Sequence, residues 1–280
     1  MRITATAVAA LALIPLLTAT AAKAEDPSLE NIYLSVQLAE ATTELISNLD
    51  AIGWPAESAY NRYTSSSETT TIVFGTPGSP TTYRSETRCA TFVRRLMTHR
   101  FAWADTNYFH TEFGVSFPNS ARFFDALEAD RTQTDDIPKI RAYQLRVFPY
   151  FNLRAGDIMA IKYVDAPASD SGHMAVIGTG SHLVDDTHTD YREWAVRVMD
   201  STSSAHGNPA SPRGYPDTRF FFNQQTQAWD EAQGAGMGWM FIRTSRADGG
   251  IISHSWSRNS NTWHNMTDRP ILIGRLDPYA

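Results

Sequence analysis

The residue pattern changes near Gly156 from helical spacing to short apolar segments, and this change constrains the fold more than any other feature of the chain. A helical half followed by a half made of strands favours an α+β fold, with helices packed on an antiparallel sheet. The predicted strands are rich in Val, Ile, Phe or Trp and are separated by Gly, Asp, Ser and Pro clusters. They are Asp157–Tyr163, His173–Thr179, Trp194–Asp200, Gly238–Thr244, Ile251–Trp256 and Ile271–Leu276.

Apolar residues recur at helical spacing in two segments before the strands begin. The first segment predicts an amphipathic helix over Leu29–Leu49, and the second predicts a helix over Thr87–Phe101 with one apolar face. Weaker patterns indicate helices near Ala121–Ala129 and over Ile137–Val147. The apolar face of the second helix consists of Cys89, Phe92, Val93, Leu96 and Met97.

Two long stretches have loop composition. Thr64–Pro80 is rich in Ser, Thr, Gly and Pro and predicts a loop with one short strand around Thr71–Phe74. Ser201–Gln233 predicts either a surface loop or an inserted subdomain. Tryptophans crowd the C-terminal part, where they either stack on sugars, cover an exposed site or belong to the core. They are Trp229, Trp239, Trp256 and Trp263.

The N-terminus has the pattern of a signal peptide over residues 1–24. Arg2 precedes an apolar run from Ala5 to Ala22, and an A-x-A cleavage site ends at Ala24. The alternative is a membrane anchor, but the run is short and alanine-rich, whereas a span needs ~20 strongly apolar residues. We therefore expect a secreted or periplasmic protein with no membrane insertion. Its single domain covers residues 25–280, with a helical half at 25–150 and a sheet-rich half at 151–280.

The charge balance and the missing motifs exclude several functions. The chain has 30 acidic residues against 24 Lys and Arg, a formal net charge of −6, and no basic run, which argues against nucleic acid as a partner. It has no H-E-x-x-H, no G-x-S-x-G and no phosphate-binding glycine loop, so zincin, α/β-hydrolase and nucleotide-binding functions lose support. We expect no metal and no organic cofactor.

One histidine- and aspartate-rich segment has an alternative as a metal site. His182, Asp185, Asp186 and His188 are residue types that bind divalent cations. The segment is rich in Gly, Ser, Asp and Thr and its ligand spacing is loose, so a solvated turn is the favoured interpretation.

The chain contains a single cysteine, Cys89. Exported proteins use cysteine mostly in pairs, as disulfides, so a lone cysteine is a buried thiol, an intermolecular link or a reactive thiol. Cys89 falls in the first turn of its predicted helix, where free amides and the helix dipole favour a thiolate. Taken alone, such a residue is more often a small buried apolar group. The reactive interpretation depends on the residues that follow.

Two downstream residues supply the partners that a reactive thiol needs. His173 opens a predicted buried strand, which holds a general base rigidly while its ring stays accessible. Asp200 ends the next strand, where a carboxylate can bond the second ring nitrogen of the base. The alternatives are a surface histidine at a turn for His173 and an Asx-turn or helix cap for Asp200.

Together these motifs resemble the NlpC/P60 branch of the papain-like superfamily and, more loosely, its CHAP relatives. The similarity runs through Arg88–Val93 (RCATFV), Gly156–Ile158 (GDI), Gly172–Val176 (GHMAV) and Met199–Ser201 (MDS). The resemblance implies one papain-like domain with a nucleophile, Cys89, at a helix N-terminus, the base His173 and the orienting residue Asp200. It also implies a thiol hydrolase that cleaves the peptide stem of peptidoglycan as an endopeptidase or amidase.

The chain also departs from that family. Members usually have Asp-Cys-Ser-Gly at the nucleophile, whereas this chain has Arg88-Cys89-Ala90-Thr91. Their third residue is more often histidine, which makes His206 a competitor of Asp200. Tyr83 stands six residues before Cys89, where it is either an oxyanion donor or a turn aromatic. Other functions compatible with the sequence are a papain-like binding module with an inert thiol, and a secreted effector or acyltransferase with a different amide or acyl substrate.

Overall fold

The computed structural model describes residues 27–64, 70–132, 140–142, 153–167, 170–207, 214–258 and 260–276. The predicted signal peptide lies outside these residues. The described part contains four α-helices and an extended antiparallel sheet, which confirms the predicted α+β class. The helices are α1 (Pro27–Asp50), α2 (Cys89–Arg100), α3 (Thr106–Phe113) and α4 (Ser120–Thr132).

The strands form three sheets. In chain order they are β1 (Asn61–Tyr63), β2 (Thr71–Val73), β3 (Arg84–Thr87), β4 (Ile140–Ala142), β5 (Ile158–Lys162), β6 (Gly172–Asp185), β7 (Tyr191–Thr202), β8 (Phe220–Asn223), β9 (Ala228–Glu231), β10 (Gly234–Ser245), β11 (Ile251–Ser255), β12 (His264–Asn265) and β13 (Ile271–Leu276). The main sheet has the order β12-β11-β10-β7-β6-β5-β13-β4, and every neighbouring pair is antiparallel. A three-stranded sheet, β1-β3-β2, and the β8–β9 hairpin complete the set.

The main sheet has apolar side chains on both faces. Along β6, Met174 and Val176 belong to a cluster that includes α1, α2 and α4, whereas Ala175 and Ile177 belong to a second cluster with side chains of β7, β10 and β13. This alternation is the period of two that a strand imposes. Because both faces are buried, the first residues of β6 are held rigidly.

Most predicted elements are confirmed. The helices predicted over Leu29–Leu49, Thr87–Phe101 and Ala121–Ala129 correspond to α1, α2 and α4, and all six predicted strands are present. The short strand around Thr71–Phe74 is β2. In the described part of the Ser201–Gln233 connection, the β8–β9 hairpin replaces an irregular loop.

One predicted helix is wrong. Ile140–Ala142, inside the predicted helix over Ile137–Val147, forms the strand β4 and pairs with β13 at the edge of the main sheet. The helical pattern there was weak, and pairing with a distant strand decided the local conformation. The remaining residues of that prediction lie outside the described part.

The helix α3 was missed, although its two ends carry recognisable signals. The Asp105 side chain caps the helix by accepting a hydrogen bond from the amide of Tyr108 at 2.8 Å. Gly114 follows the helix with φ +71°, a left-handed conformation that favours glycine. The helix has only eight residues, which is too short for a clear hydrophobic period.

The Gly156-Asp157 motif has a structural role. Gly156 has φ +85°, and a Cβ there would lie 1.6 Å from the carbonyl oxygen of Ser35 in α1, so only glycine fits. The buried Asp157 accepts hydrogen bonds from Arg275 Nε at 2.8 Å, Arg275 Nη2 at 2.7 Å and the Arg154 amide at 2.9 Å. The motif therefore ties the start of β5 to α1 and to β13.

We predict that Asp157→Ala lowers the free energy of unfolding by about 3–5 kcal/mol, because it removes the buried carboxylate that accepts two hydrogen bonds from the Arg275 guanidinium. Urea denaturation measures this change. Asp190→Ala serves as the control, since Asp190 is exposed and its removal should cost no more than about 0.5 kcal/mol. Equal stabilities of the two variants would show that the pair contributes nothing.

Candidate active site

The structure brings Cys89, His173 and Asp200 together at one end of the main sheet. Cys89 is the first residue of α2 and is 8% exposed. His173 is the second residue of β6, and Asp200 lies near the end of β7. Because β6 and β7 are antiparallel neighbours, the start of one strand and the end of the other lie at the same edge of the molecule.

The three side chains are arranged in series. His173 Nε2 lies 2.6 Å from Asp200 Oδ2, and the imidazole lies close enough to the Cys89 thiol for each group to shift the pKa of the other. Since Asp200 occupies Nε2, Nδ1 is the ring nitrogen left for the sulfur. The sulfur lies 3.6 Å from Ser120 Oγ and 3.8 Å from the carbonyl oxygen of Gly172. The thiol, imidazole and carboxylate thus have the order of a nucleophile, a base and an orienting acid.

The electrostatics of the pair favour a thiolate beside an imidazolium. Burial by itself raises the pKa of Cys89, but the charge and hydrogen bond of His173, together with Ser120 and the Met174 amide, outweigh it and lower the pKa below the ordinary thiol value. Burial by itself lowers the pKa of His173, but the Cys89 thiolate and Asp200 outweigh it and raise the pKa to about 10. The pair therefore favours the thiolate, which is the nucleophilic form of cysteine.

Asp200 stays ionised although it is fully buried. Its Oδ2 accepts from His173 and from His206 Nε2 at 2.7 Å, and its Oδ1 accepts from Arg219 Nη1 at 2.9 Å. Burial alone raises the pKa of the carboxyl, but the positive charges of His206 and Arg219 and the two imidazole hydrogen bonds hold it well below the usual value. His206, the predicted competitor, thus lies beyond Asp200, and Asp200 is the residue that contacts His173.

A second buried acid holds Arg219 in place. Asp217 Oδ1 accepts from Arg219 Nε at 2.8 Å, Asp217 Oδ2 accepts from Nη2 at 2.7 Å, and the same Oδ2 accepts from the amide of His206 at 2.8 Å. Gly236 leaves the space, because a Cβ there would lie 2.7 Å from Arg219 Nε. The sequence analysis missed both residues, and their only signal is an Asp-x-Arg pair inside a predicted loop.

Gly172 is the other glycine that the site requires. Its φ is +142°, and a Cβ there would lie 1.9 Å from the carbonyl oxygen of Ile161 on β5. Its own carbonyl contacts the Cys89 sulfur. The Gly-His motif therefore has two roles. The glycine lets β6 approach β5 closely, and the next residue, His173, places its imidazole in the site.

The N-terminus of a second helix also faces the thiol. The Asn119 side chain caps α4 by accepting from the Arg122 amide at 3.0 Å, and Ser120, the first helical residue, contacts the sulfur. Sequence analysis predicted the helix but missed Ser120, since a serine at a helix start is ordinarily a cap. The positive ends of α2 and α4 thus both favour negative charge on Cys89.

Tyr83 is a core residue. Its hydroxyl donates to Glu44 Oε1 at 2.7 Å, its side chain is fully buried, and it directly follows a 3₁₀ turn at Pro80–Thr82. This environment matches the turn interpretation and contradicts an oxyanion role, because the hydroxyl is bonded to α1. The phenol that lies beside the thiol belongs to Tyr63, whose pKa is raised by burial and by the Cys89 charge.

A cavity of about 150 Å³ opens beside the sulfur. Tyr63, Cys89, Ser120 and Gly172 contribute to its wall, together with the arginines Arg88 and Arg94. On the other side of the imidazole, the Trp256 ring stacks on His206 at 4.9 Å and meets the His173 ring edge-on at 4.9 Å. Cys89 therefore faces a space for a ligand, while an aromatic ring covers the base.

His173, Asp200 and His206 are also the group of metal-ligand type found among the described residues. Ligand atoms on one tetrahedral zinc at 2.0–2.2 Å lie about 3.3 Å or more from one another. Here both imidazole nitrogens lie 2.6–2.7 Å from a single carboxylate oxygen, which is hydrogen-bond distance. The Arg219 cation bonds the other oxygen. The arrangement fits hydrogen bonding better than coordination.

The second histidine cluster has the contacts of a solvated turn. Asp185 accepts from the amide and hydroxyl of Thr187 at 2.8 and 2.7 Å, and His188 Nε2 lies 3.7 Å from it. Asp186 pairs with the Arg192 guanidinium at 3.1 Å. His182 stacks on Tyr215. These contacts match the turn interpretation.

None of the described helices contains an apolar stretch of the length that crosses a bilayer. No family model, no curated protein and no solved structure matches the chain.

We predict that Asp200→Asn slows alkylation of Cys89 by iodoacetamide at pH 6 about tenfold or more. The substitution keeps the shape of the side chain and removes the charge that holds His173 as an imidazolium, so the thiol pKa rises, and each pKa unit lowers the thiolate fraction tenfold. Asp217→Asn is the matched control, because it removes a charge from the same buried network without touching His173. Unchanged alkylation in Asp200→Asn would contradict the orienting role.

Proposed function

We propose that this protein is a papain-like thiol hydrolase that cleaves an amide bond by attack of Cys89. The observation that carries the proposal is the buried group Cys89–His173–Asp200, in which Asp200 bonds the imidazole that lowers the pKa of the Cys89 thiol, at a helix N-terminus and beside a cavity. A thiol that only fills space needs neither a lowered pKa nor an imidazole supported by a buried carboxylate.

The geometry supports a two-step reaction. The Cys89 thiolate forms a bond to the amide carbon while the carbonyl electrons move to oxygen, where the free amides at the start of α2 stabilise the charge. The C–N bond then breaks, and the His173 imidazolium gives its proton to the departing amine. Water next attacks the thioester as the neutral imidazole takes its proton, the C–S bond breaks, and the carboxylic acid leaves.

Asp200 and Trp256 support the base in both steps. Asp200 holds the ring of His173 in one orientation and stabilises its positive charge, the role of the acid in a catalytic triad. Trp256 packs its ring against the edge of His173 and limits the access of water to it. The imidazolium therefore keeps its proton until the amine leaves.

The peptide stem of peptidoglycan is the proposed substrate. The order Cys89, Gly156-Asp157, Gly172-His173 and Asp200 resembles NlpC/P60 hydrolases, which act on such peptides. The signal-peptide pattern over residues 1–24 implies a secreted or periplasmic protein, and an exported hydrolase meets the cell wall. Endopeptidase and amidase activity both follow from the same attack on an amide carbon.

The pH dependence of iodoacetamide alkylation tests the nucleophile, and the single cysteine makes the label unambiguous. We predict rapid alkylation of the wild type at pH 6. In His173→Ala the midpoint should move up toward the free-thiol value near 8.5, with the rate at pH 6 falling about 100-fold.

The matched control is His182→Ala, which removes an exposed histidine that stacks on Tyr215 and should leave the profile unchanged. A chelator should also leave it unchanged, since the proposed reaction uses no metal. Alkylation that appears only above about pH 8.5, or only after unfolding, would make Cys89 an ordinary buried thiol. The protein would then be a binding module.

Digestion of purified peptidoglycan tests the substrate. We predict that the protein starting at residue 25 releases new amino groups and soluble fragments, and that Cys89→Ser abolishes the release because the hydroxyl of serine is not ionised at neutral pH. Mass spectrometry of the fragments identifies the cleaved amide. If Cys89 alkylates rapidly at pH 6 yet peptidoglycan stays intact, the hydrolase acts on a different amide.

A further inference from the structure

The cavity beside the thiol contains a buried cation, Arg94, that is not part of the Cys89–His173–Asp200 group. Arg94 lies on α2, one and a half turns after Cys89, and its residue is only 5% exposed. Its guanidinium carbon lies 4.7 Å from the ring centre of Phe117 and 5.9 Å from that of Phe109. The side chain contributes to the wall of the same cavity as the sulfur.

Arg94 has no anionic partner in the part of the chain that the structure describes. No carboxylate lies within ion-pair distance of its guanidinium there, and the charge that acts on it is that of the neighbouring Arg95. Burial lowers the pKa of Arg94 to about 10, so the group still carries its charge at neutral pH. A buried charge without a partner is costly, and aromatic faces offset only part of that cost. Arg94 is therefore placed for an anion from outside the protein.

The remaining charged groups of the cavity also favour an anion. Arg88 contributes a second guanidinium to its wall, and α4 begins at the cavity with Ser120. The one acid among the described residues of the wall is Asp170, which is exposed. A planar guanidinium in the wall of a small cavity matches a carboxylate in size and in hydrogen-bond geometry.

We propose that Arg94 forms a carboxylate-binding subsite, so that the amide attacked by Cys89 belongs to a substrate with a free carboxylate close to the scissile bond. The inference rests on the proposed hydrolase function, because it names the chemistry of the group beside the reacting amide. The cavity of about 150 Å³ limits that group to a small one; a cavity of about this volume holds a molecule the size of benzene.

A pair of alkylating reagents that differ in charge tests the subsite. Iodoacetate and iodoacetamide are nearly equal in size, but only iodoacetate carries a carboxylate. The ratio of their rates at Cys89, divided by the same ratio for the protein unfolded in urea, measures the preference for an anion. We expect a preference for iodoacetate in the wild type. Arg94→Gln should reduce this normalised ratio about tenfold, the usual scale for one charge-assisted hydrogen bond.

Arg95→Gln is the matched control. Arg95 is the next residue of the same helix, and its Nη2 donates to the Thr70 carbonyl at 3.1 Å instead of lining the cavity. Arg95→Gln removes one positive charge from the same region of the protein. Its normalised ratio of iodoacetate to iodoacetamide rates should therefore stay within about twofold of the wild-type value. Equal losses in the two variants would overturn the proposal, because they would reflect the general field of the protein. If Arg94→Gln does not fold, Arg94→Lys tests the subsite with the charge kept and the planar fork removed.

A binding measurement separates the subsite from the reactivity of the thiol. Saturation-transfer NMR on the Cys89→Ser variant compares succinamic acid, which has an amide and a carboxylate, with succinamide, which has two amides. Preferential binding of succinamic acid that disappears on adding Arg94→Gln supports the subsite even if the wild-type thiol is inert. Equal binding of the two compounds, together with rapid alkylation at pH 6, would overturn the subsite and leave the hydrolase function standing.

Discussion

The buried carboxylate of Asp200 is the group on which the rest of the site depends. It has no exposure to water, and a bare carboxylate in that environment would take up a proton. Two imidazoles and a guanidinium replace the lost hydration, and Asp217 in turn holds the guanidinium of Arg219. The negative charge that results is what makes a positive His173 and, through it, a negative sulfur stable inside the protein.

The charges of the site alternate along a line of contacts. In order of contact they are Asp217, Arg219, Asp200, His173 and the Cys89 sulfur. Each member has a neighbour of opposite sign, so the network as a whole is close to neutral although every member is buried. Such networks are worth more than isolated pairs because each bond orients the next. Arg94 stands apart from this line, on the cavity side of the sulfur.

Much of the site could be predicted from local sequence. The apolar face of α2 fixed the position of Cys89, and the strand patterns placed His173 and Asp200 at the end where antiparallel neighbours meet. Arg219 and Ser120 could not be found in this way, because neither belongs to a motif or a periodic pattern that marks it. The strand β4 was predicted as part of a helix, because its pairing with the distant β13 has no local signal. Local patterns predict elements, whereas contacts between distant segments complete the site.

The place of Arg219 in the sequence determines at which stage of folding the pKa of the Cys89 thiol falls. Arg219 comes from the connection between β7 and β10, so the carboxylate of Asp200 is neutralised only after that connection has docked against the sheet. In the unfolded chain Cys89 is an ordinary thiol with a pKa near 8.5, mostly protonated at neutral pH. Folding itself therefore lowers the pKa of the thiol, and an unfolded or nascent chain carries its cysteine in a comparatively inert form.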